Sequence, residues 1–112
     1  MPKFLIQATY TAEGTQGLLR EGASGRRAAV EQVVSGLGGT VEAVYFAFGE
    51  HDIVLIVDFP DPVAMAAVSL AVKASGALHT RATPLLGLDE VDEAVRRQVS
   101  FRAPGAPGPA GA

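Results

Sequence analysis

The sequence predicts an α+β protein in which four strands and two helices follow the order βαββαβ, with an extra helix at the carboxyl end. Three observations carry this prediction. Residues 4–10 alternate in hydrophobicity with the period of a strand, residues 53–59 form an almost unbroken apolar run after a polar corner, and two other segments place apolar side chains at helical spacing. The polar corner between two strand-like segments indicates a hairpin.

The first half of the chain supplies a strand and a helix. The strand covers residues 4–10, and a glycine-containing connection is expected over residues 11–25. The first helix is predicted to begin after Ser24, which is a typical N-cap residue, and to end at the glycines that follow Val34. Its apolar positions at helical spacing are Val30, Val33, Val34 and Leu37.

The second half supplies the hairpin, a second helix, a fourth strand and a last helix. Strands are expected over residues 41–48, 53–59 and 77–83, and Pro84 closes the fourth. Asp61 caps the second helix, which has Pro62 in its first turn and ends near Gly76. The last helix is predicted over residues 88–99, with acidic residues early and arginines late, an order that complements the helix dipole.

The third strand is apolar on both faces, and this determines the predicted assembly. Its odd-numbered residues from Ile53 to Phe59 line one face, while Val54 and Ile56 line the other. Right-handed crossovers put the first and third strands in the centre of an antiparallel sheet and both helices on one side. We therefore expect the open face to pack on the sheet of a second copy, which would give a dimeric α/β barrel or a higher homo-oligomer.

Composition limits the classes of function. We expect one domain over residues 1–100 and a disordered tail rich in Pro, Gly and Ala over residues 101–112. A net charge of −3 gives no general attraction to nucleic acid or an anionic membrane, and the absence of Cys excludes thiolate chemistry. Since no apolar stretch is long enough for a membrane helix and no leader pattern opens the chain, a cytoplasmic protein is expected.

The hairpin carries a resemblance to a known family. Residues 48–52 read Phe-Gly-Glu-His-Asp, an apolar strand follows, and residues 58–61 read Asp-Phe-Pro-Asp. From residue 1 to about residue 99 the chain resembles the GYD domain family of small bacterial proteins, with His51 where that family usually has tyrosine. The resemblance implies a ferredoxin-like fold and self-association, and it implies no particular activity. A looser likeness is to the dimeric effector-binding domain of leucine-responsive regulators.

Titratable residues are predicted to gather at one end of the sheet. The end of the first strand, the hairpin and the start of the fourth strand should meet there, which forms a candidate ligand site or, alternatively, a solvated rim. Asp52 either orients a histidine or bonds backbone amides in the turn. Gly49 is expected to contribute to ligand binding, and the residues expected to be neighbours are Tyr10, Thr11, Glu13, Glu50, His51, Asp52 and His79.

Three arginines extend this candidate site. Arg26 and Arg27 fall in the predicted first turn of the first helix, where cations are disfavoured, so they either bind a carboxylate or phosphate ligand or reach to acids on a neighbouring subunit. Arg81 shares one face of the fourth strand with His79, and Thr80 lies on the opposite face. If Arg81 and His79 look into a cavity between two copies, they favour an anionic or polar ligand; if they look outward, they only protect a sheet edge.

The sequence is compatible with three functions. The first is a homo-oligomeric module that binds or senses a small, anionic metabolite. The alternative is a cofactor-free isomerase or oxygenase in which His51 or His79 is the general base, with Asp52 beside them and Tyr10 or Arg81 stabilising an oxyanion. The third is a structural subunit that offers its last helix to a protein partner. The sequence has no recognised metal-ligand spacing or phosphate loop, so neither a metal nor a nucleotide cofactor is predicted.

Overall fold

A computed structural model describes residues 1–107 and shows one antiparallel sheet of four strands in the order β2-β3-β1-β4. The prediction that the first and third strands are central is confirmed. No helix within residues 1–107 is long and apolar enough to cross a membrane. The elements are β1 (Lys3–Tyr10), α1 (Ala12–Gly36), β2 (Thr40–Phe46), β3 (Ile53–Asp58), α2 (Pro62–Ser75), β4 (Leu78–Leu85) and α3 (Leu88–Arg96).

The core lies between the sheet and helices α1 and α2. Alternate residues of β1 and β3 point into it, and Val57 and the following Phe59 are fully enclosed. The ring of Phe59 lies against that of Phe4, with 6.3 Å between the ring centroids. The helices contribute the buried side chains Val34, Ala64 and Met65. This core orients the two helices over one face of the sheet and fixes the space between them.

The opposite face of the sheet carries a second set of apolar side chains. Leu5 pairs with Ile56, and Gln7 pairs with Val54, so these residues share the face that points away from the core. Leu5, Val54 and Ile56 are half-buried. At one end of this face Lys3 forms ion pairs with Glu42 and Asp58 at 3.2 and 3.1 Å. The predicted division of β3 into two apolar faces is therefore confirmed.

The segment before residue 24 is helical, which corrects the predicted connection over residues 11–25. Thr11 is the N-cap of α1, and its Oγ1 accepts a hydrogen bond from the amide of Gly14 at 3.2 Å. Glycine disfavours a helix without forbidding it, and within α1 only Gly22 leaves the helical conformation, with a φ of 76°. The chain therefore forms two helical segments joined at a kink, and the second contains the predicted helix.

Other boundaries also differ from the prediction. β2 ends at Phe46, and β4 runs through Pro84 to Leu85. Proline is tolerated there because β4 is an edge strand, where a backbone amide can be absent without loss of a ladder hydrogen bond. Helix α2 has the predicted Asp61 cap and ends at Ser75, and Gly76 caps its carboxyl end with a φ of 71°.

The last helix is shorter than expected. Helix α3 ends at Arg96, three residues before the predicted limit at Val99. Residues 101–107 contain a turn in which the amide of Ala106 donates to the carbonyl of Ala103 at 3.0 Å. The predicted disordered tail covers residues 101–112, and its last five residues lie outside the described residues.

Candidate functional site

A cavity lies between α1, α2 and the core face of the sheet. The space open to the centre of a water-sized molecule inside it is about 100 Å³. Side chains such as Val30, Val68 and Leu78 make most of its wall apolar. Among the described residues, its polar lining is limited to Tyr10, Arg26, Ser69 and Thr80. An apolar chamber with a few polar groups is the usual form of a small-molecule site.

The hydroxyl of Tyr10 is the most unusual polar group in this wall. It is buried, and it has no hydrogen-bond partner among the described residues. Burial is the main cause that raises the pKa of Tyr10 above its ordinary value of 10.0, and the charge of Arg26 opposes this rise. The hydroxyl is therefore protonated at neutral pH and keeps a donor that no described residue uses.

Arg26 is the cationic residue of the cavity. It follows the Gly22 kink in α1, and its side chain keeps about 29% of its surface exposed. Its Nη1 atom lies 3.3 Å from Glu21 Oε1. A guanidinium has five N–H donors, so this single contact leaves donors for a second acceptor. The cavity thus combines an apolar wall with a neutral donor and a cation.

The backbone around Tyr10 is held from two sides. Asp52 Oδ2 accepts a hydrogen bond from the Tyr10 amide at 2.8 Å, and the Asp52 amide donates to the Ala8 carbonyl at 2.9 Å. The amide of Thr11 donates to the Ala77 carbonyl at 3.0 Å, which ties the end of β1 to the start of β4. The hairpin aspartate therefore positions Tyr10 through backbone hydrogen bonds.

Gly14 allows α1 to approach this end of the sheet. A Cβ atom at Gly14 would collide with the carbonyl oxygen of Ala77 and would lie 3.1 Å from Cδ1 of Tyr10. Only glycine lets the helix backbone pass so close to both groups. The sequence shows Gly14 as one of several glycines in this segment, and its role depends on a contact with residues far along the chain.

The other predicted site residues divide between different surfaces. His79 pairs with Thr9 and Arg81 with Gln7, so both lie on the sheet face away from the cavity, whereas Thr80 lines the cavity as expected. Arg27 is exposed and pairs with Glu31 at 2.8 Å. Glu13, Gly49 and Glu50 are exposed, while Thr11 and His51 are half-buried.

The structure therefore brings together some of the expected neighbours and separates others. Tyr10 and Asp52 are in contact, and Arg26 joins Tyr10 in the cavity wall. The two histidines do not line the cavity. The apolar wall residues of α1 and α2 were not predicted as site residues. Their only sequence signal is the helical stripe that each shows, such as Val68 and Val72, and a stripe does not reveal that a gap remains beneath it.

Replacing Tyr10 by phenylalanine is expected to raise the free energy of unfolding by about 1 kcal/mol, because a buried hydroxyl without a partner is removed.

The wild-type protein should also lose stability as the pH rises above 10.0, since the unfolded chain then releases the tyrosine proton while the folded chain retains it. Tyr10→Phe should show a smaller loss. Urea denaturation between pH 7 and 11 measures both effects.

Tyr45→Phe is the matched control, because Tyr45 is 72% exposed. It should change the free energy of unfolding by less than about 0.5 kcal/mol and keep the wild-type pH dependence. If Tyr10→Phe destabilised the protein while Tyr45→Phe did not, the Tyr10 hydroxyl would have to make a favourable contact, and its assignment as a free donor would be wrong.

These features define a small α+β protein with a four-stranded sheet, one helical layer and an apolar cavity between them. The chain belongs to the GYD domain family, whose family model matches residues 4–95. No match was found among curated proteins or among solved structures.

Proposed function

We propose that the protein is a homo-oligomeric binding module for a small molecule that has an apolar body and an anionic head. The observation that carries this proposal is the cavity with Tyr10 and Arg26 in its wall. An apolar ligand body would replace water along the aliphatic wall, which contributes about 25 cal/mol for each Å² of apolar surface buried. The anionic head would lie near Arg26, which can neutralise its charge, and near Tyr10, which can donate a hydrogen bond to it.

The two polar side chains have complementary roles toward a carboxylate. The Tyr10 hydroxyl can donate one hydrogen bond, which would satisfy a group that has no partner in residues 1–107. Arg26 can donate through the N–H groups that Glu21 leaves free, and charge-assisted bonds of this kind contribute more than neutral ones. Since carboxylate geometry matches the guanidinium plane, a carboxylate is the head group that the site favours.

Binding is favoured over catalysis by the position of the histidines. A general base must lie within hydrogen-bond reach of the proton that it removes, and neither His51 nor His79 lines the cavity. The side chains that do line it can donate hydrogen bonds and hold a charge. These capacities suit recognition of a ligand.

The homo-oligomeric part of the proposal is supported by the uncovered face of the sheet. This face presents Leu5, Val54 and Ile56 beside one another across β1 and β3. A monomer would leave these branched side chains partly in water, and a second copy that covered them would remove this surface from solvent. Assembly through this face leaves the cavity on the other side of the sheet accessible.

Octanoate and its uncharged analogue octanol test the ligand class, because they share a chain length and differ in the head. We expect octanoate at 100 times its Kd to raise the free energy of unfolding by about 2.7 kcal/mol, and octanol to have a much smaller effect. Thermal unfolding and isothermal titration calorimetry on the full chain provide the two readouts. If octanoate, shorter alkyl carboxylates and aryl carboxylates all failed to stabilise the protein, the proposal would be rejected.

A further inference from the structure

Helix α3 has an apolar side that nothing in the described chain covers. Leu88, Val91 and Val95 follow one another at helical spacing, and they are 86%, 44% and 77% exposed. None of the nine residues of α3 is buried. A helix of this length is not stable in water by its own hydrogen bonds, because helices shorter than about 12 residues need tertiary packing. The apolar side therefore requires a partner surface.

A short connection with defined hydrogen bonds joins β4 to α3. Two residues, Leu86 and Gly87, separate the strand from the helix. The Gly87 amide donates to Glu90 Oε1 at 2.9 Å and its carbonyl accepts from the Val91 amide at 3.1 Å, so this turn has a fixed geometry. The protein has a radius of gyration of 18.4 Å, whereas a compact chain of this length has about 13 Å. The residues after α3 contribute to this value as well, so it describes an extended carboxyl-terminal region of which α3 is one part.

We propose that α3 of one copy packs across the uncovered sheet face of a second copy, and that the second copy's α3 does the same in return. In such a two-fold symmetric dimer the same contact occurs twice, so neither copy keeps a free α3 or a free sheet face for a third copy. This inference rests on the homo-oligomer of the proposed function and identifies the contact that forms it. It is independent of the ligand.

The two surfaces agree in size. The apolar side of α3 from Leu88 to Val95 is about 10 Å long at 1.5 Å per residue. The apolar part of the sheet face extends over β2, β3 and β1, and three strands with two gaps between them span about 10 Å. Ala43 and Ile56 pair on this face, as do Ile56 and Leu5, which makes a continuous apolar band across the strands.

The charges around the two surfaces are also complementary. Helix α3 begins with acidic residues and ends with Arg96, which also pairs with Glu93 at 3.2 Å. The sheet face has Arg81 on β4 at one side. At the other end Glu42 and Asp58 share the single amine of Lys3, which leaves a net negative charge. A helix that lies with its acidic start toward Arg81 and with Arg96 toward the two carboxylates satisfies both ends.

The absence of native cysteine permits a direct test by cross-linking of the full chain. The variants Val95→Cys and Ile56→Cys are purified separately, mixed and oxidised. We expect a mixed covalent dimer to be the main product, at a yield at least ten times that obtained when Ala94→Cys replaces Val95→Cys. Ala94 is the matched control because it lies next to Val95 and turns away from the apolar side.

The outcomes separate the possible partners of α3. Equal yields with residues 94 and 95 would overturn the proposal, and so would a predominance of the Ile56→Cys homodimer, which would indicate sheet-to-sheet packing. A double variant carrying both cysteines should form covalent dimers or larger species. If it formed an internal disulfide in a single subunit, α3 would cover its own sheet, and the exchange would be rejected.

Sedimentation gives a second readout that uses no disulfide. Glutamine favours a helix more than valine does, so a loss of dimer affinity in Val91→Gln with Val95→Gln reports the removed apolar side and not a lower helix propensity. We expect this variant to raise the dissociation constant of the dimer at least tenfold, and Ala94→Gln to change it less than twofold. A dimer unaffected by the double variant would overturn the exchange and leave the ligand proposal intact, since octanoate binding is measured separately.

Discussion

Replacing Phe59 by alanine is expected to lower the free energy of unfolding by about 3–5 kcal/mol, the largest effect of any single substitution considered for this protein. Phe59 is fully buried between the sheet and the helices, and its ring packs against Phe4 at a centroid distance of 6.3 Å. The backbone of Gly39 also lies against the ring, since a Cβ there would be 2.8 Å from Phe59 Cδ1. The neighbouring backbone therefore has little freedom to close a cavity left by the ring.

Urea denaturation followed by far-UV circular dichroism measures this loss. Phe101→Ala is the matched control, because Phe101 is 60% exposed and lies outside the helices and strands. It should change stability by less than about 0.5 kcal/mol. Losses of similar size in the two variants would show that Phe59 is not at the centre of the core. Since small domains have about 5–15 kcal/mol of stability in total, Phe59→Ala should also lower the unfolding temperature markedly.

The elements that were predicted correctly are those whose signals are local. Hydrophobic alternation in residues 4–10 and the apolar run from Ile53 specify strands by themselves. Asp61 and Pro62 specify the start of α2 through a cap and a fixed φ angle. The sheet order then follows, because right-handed crossovers leave few ways to connect these elements.

The first part of α1 was predicted wrongly because its glycines act through distant contacts. Gly14 was interpreted as part of a connection, and its small size is instead required by the carbonyl of Ala77 in front of β4. Gly22 alone behaves as the sequence suggests and interrupts the helix with a φ of 76°. A local pattern cannot separate a glycine that breaks a helix from one that lets a helix approach a strand.

The candidate site was predicted in part for a similar reason. Tyr10 and Asp52 were expected at one end of the sheet, and the structure places them in contact. Arg26 and Arg27 are equivalent in the sequence, yet packing turns Arg26 into the cavity wall and leaves Arg27 in a surface pair with Glu31. The packing of the helices on the sheet decides which of these residues line the cavity, and the sequence alone does not show that packing.

This difference between two adjacent arginines leads to the second large effect. Replacing Arg26 by methionine should weaken octanoate binding about 10–100-fold, which corresponds to the loss of a charge-assisted hydrogen bond of about 1.5–3 kcal/mol. Methionine keeps an unbranched apolar side chain of similar reach, so the wall remains closed. Octanol binding should change much less, because octanol has no charge for Arg26 to neutralise. Calorimetric titration of the full chain with both compounds measures the difference.

Arg27→Met is the control, since it removes the same charge one residue further along α1 from a side chain that is about half exposed. It should change octanoate affinity less than twofold. Equal losses in the two variants would point to the general field of the helix and not to a contact in the cavity. Undiminished binding by Arg26→Met, with an unfolding temperature like that of the wild type, would place the ligand elsewhere and leave Tyr10 and its neighbours with a purely structural role.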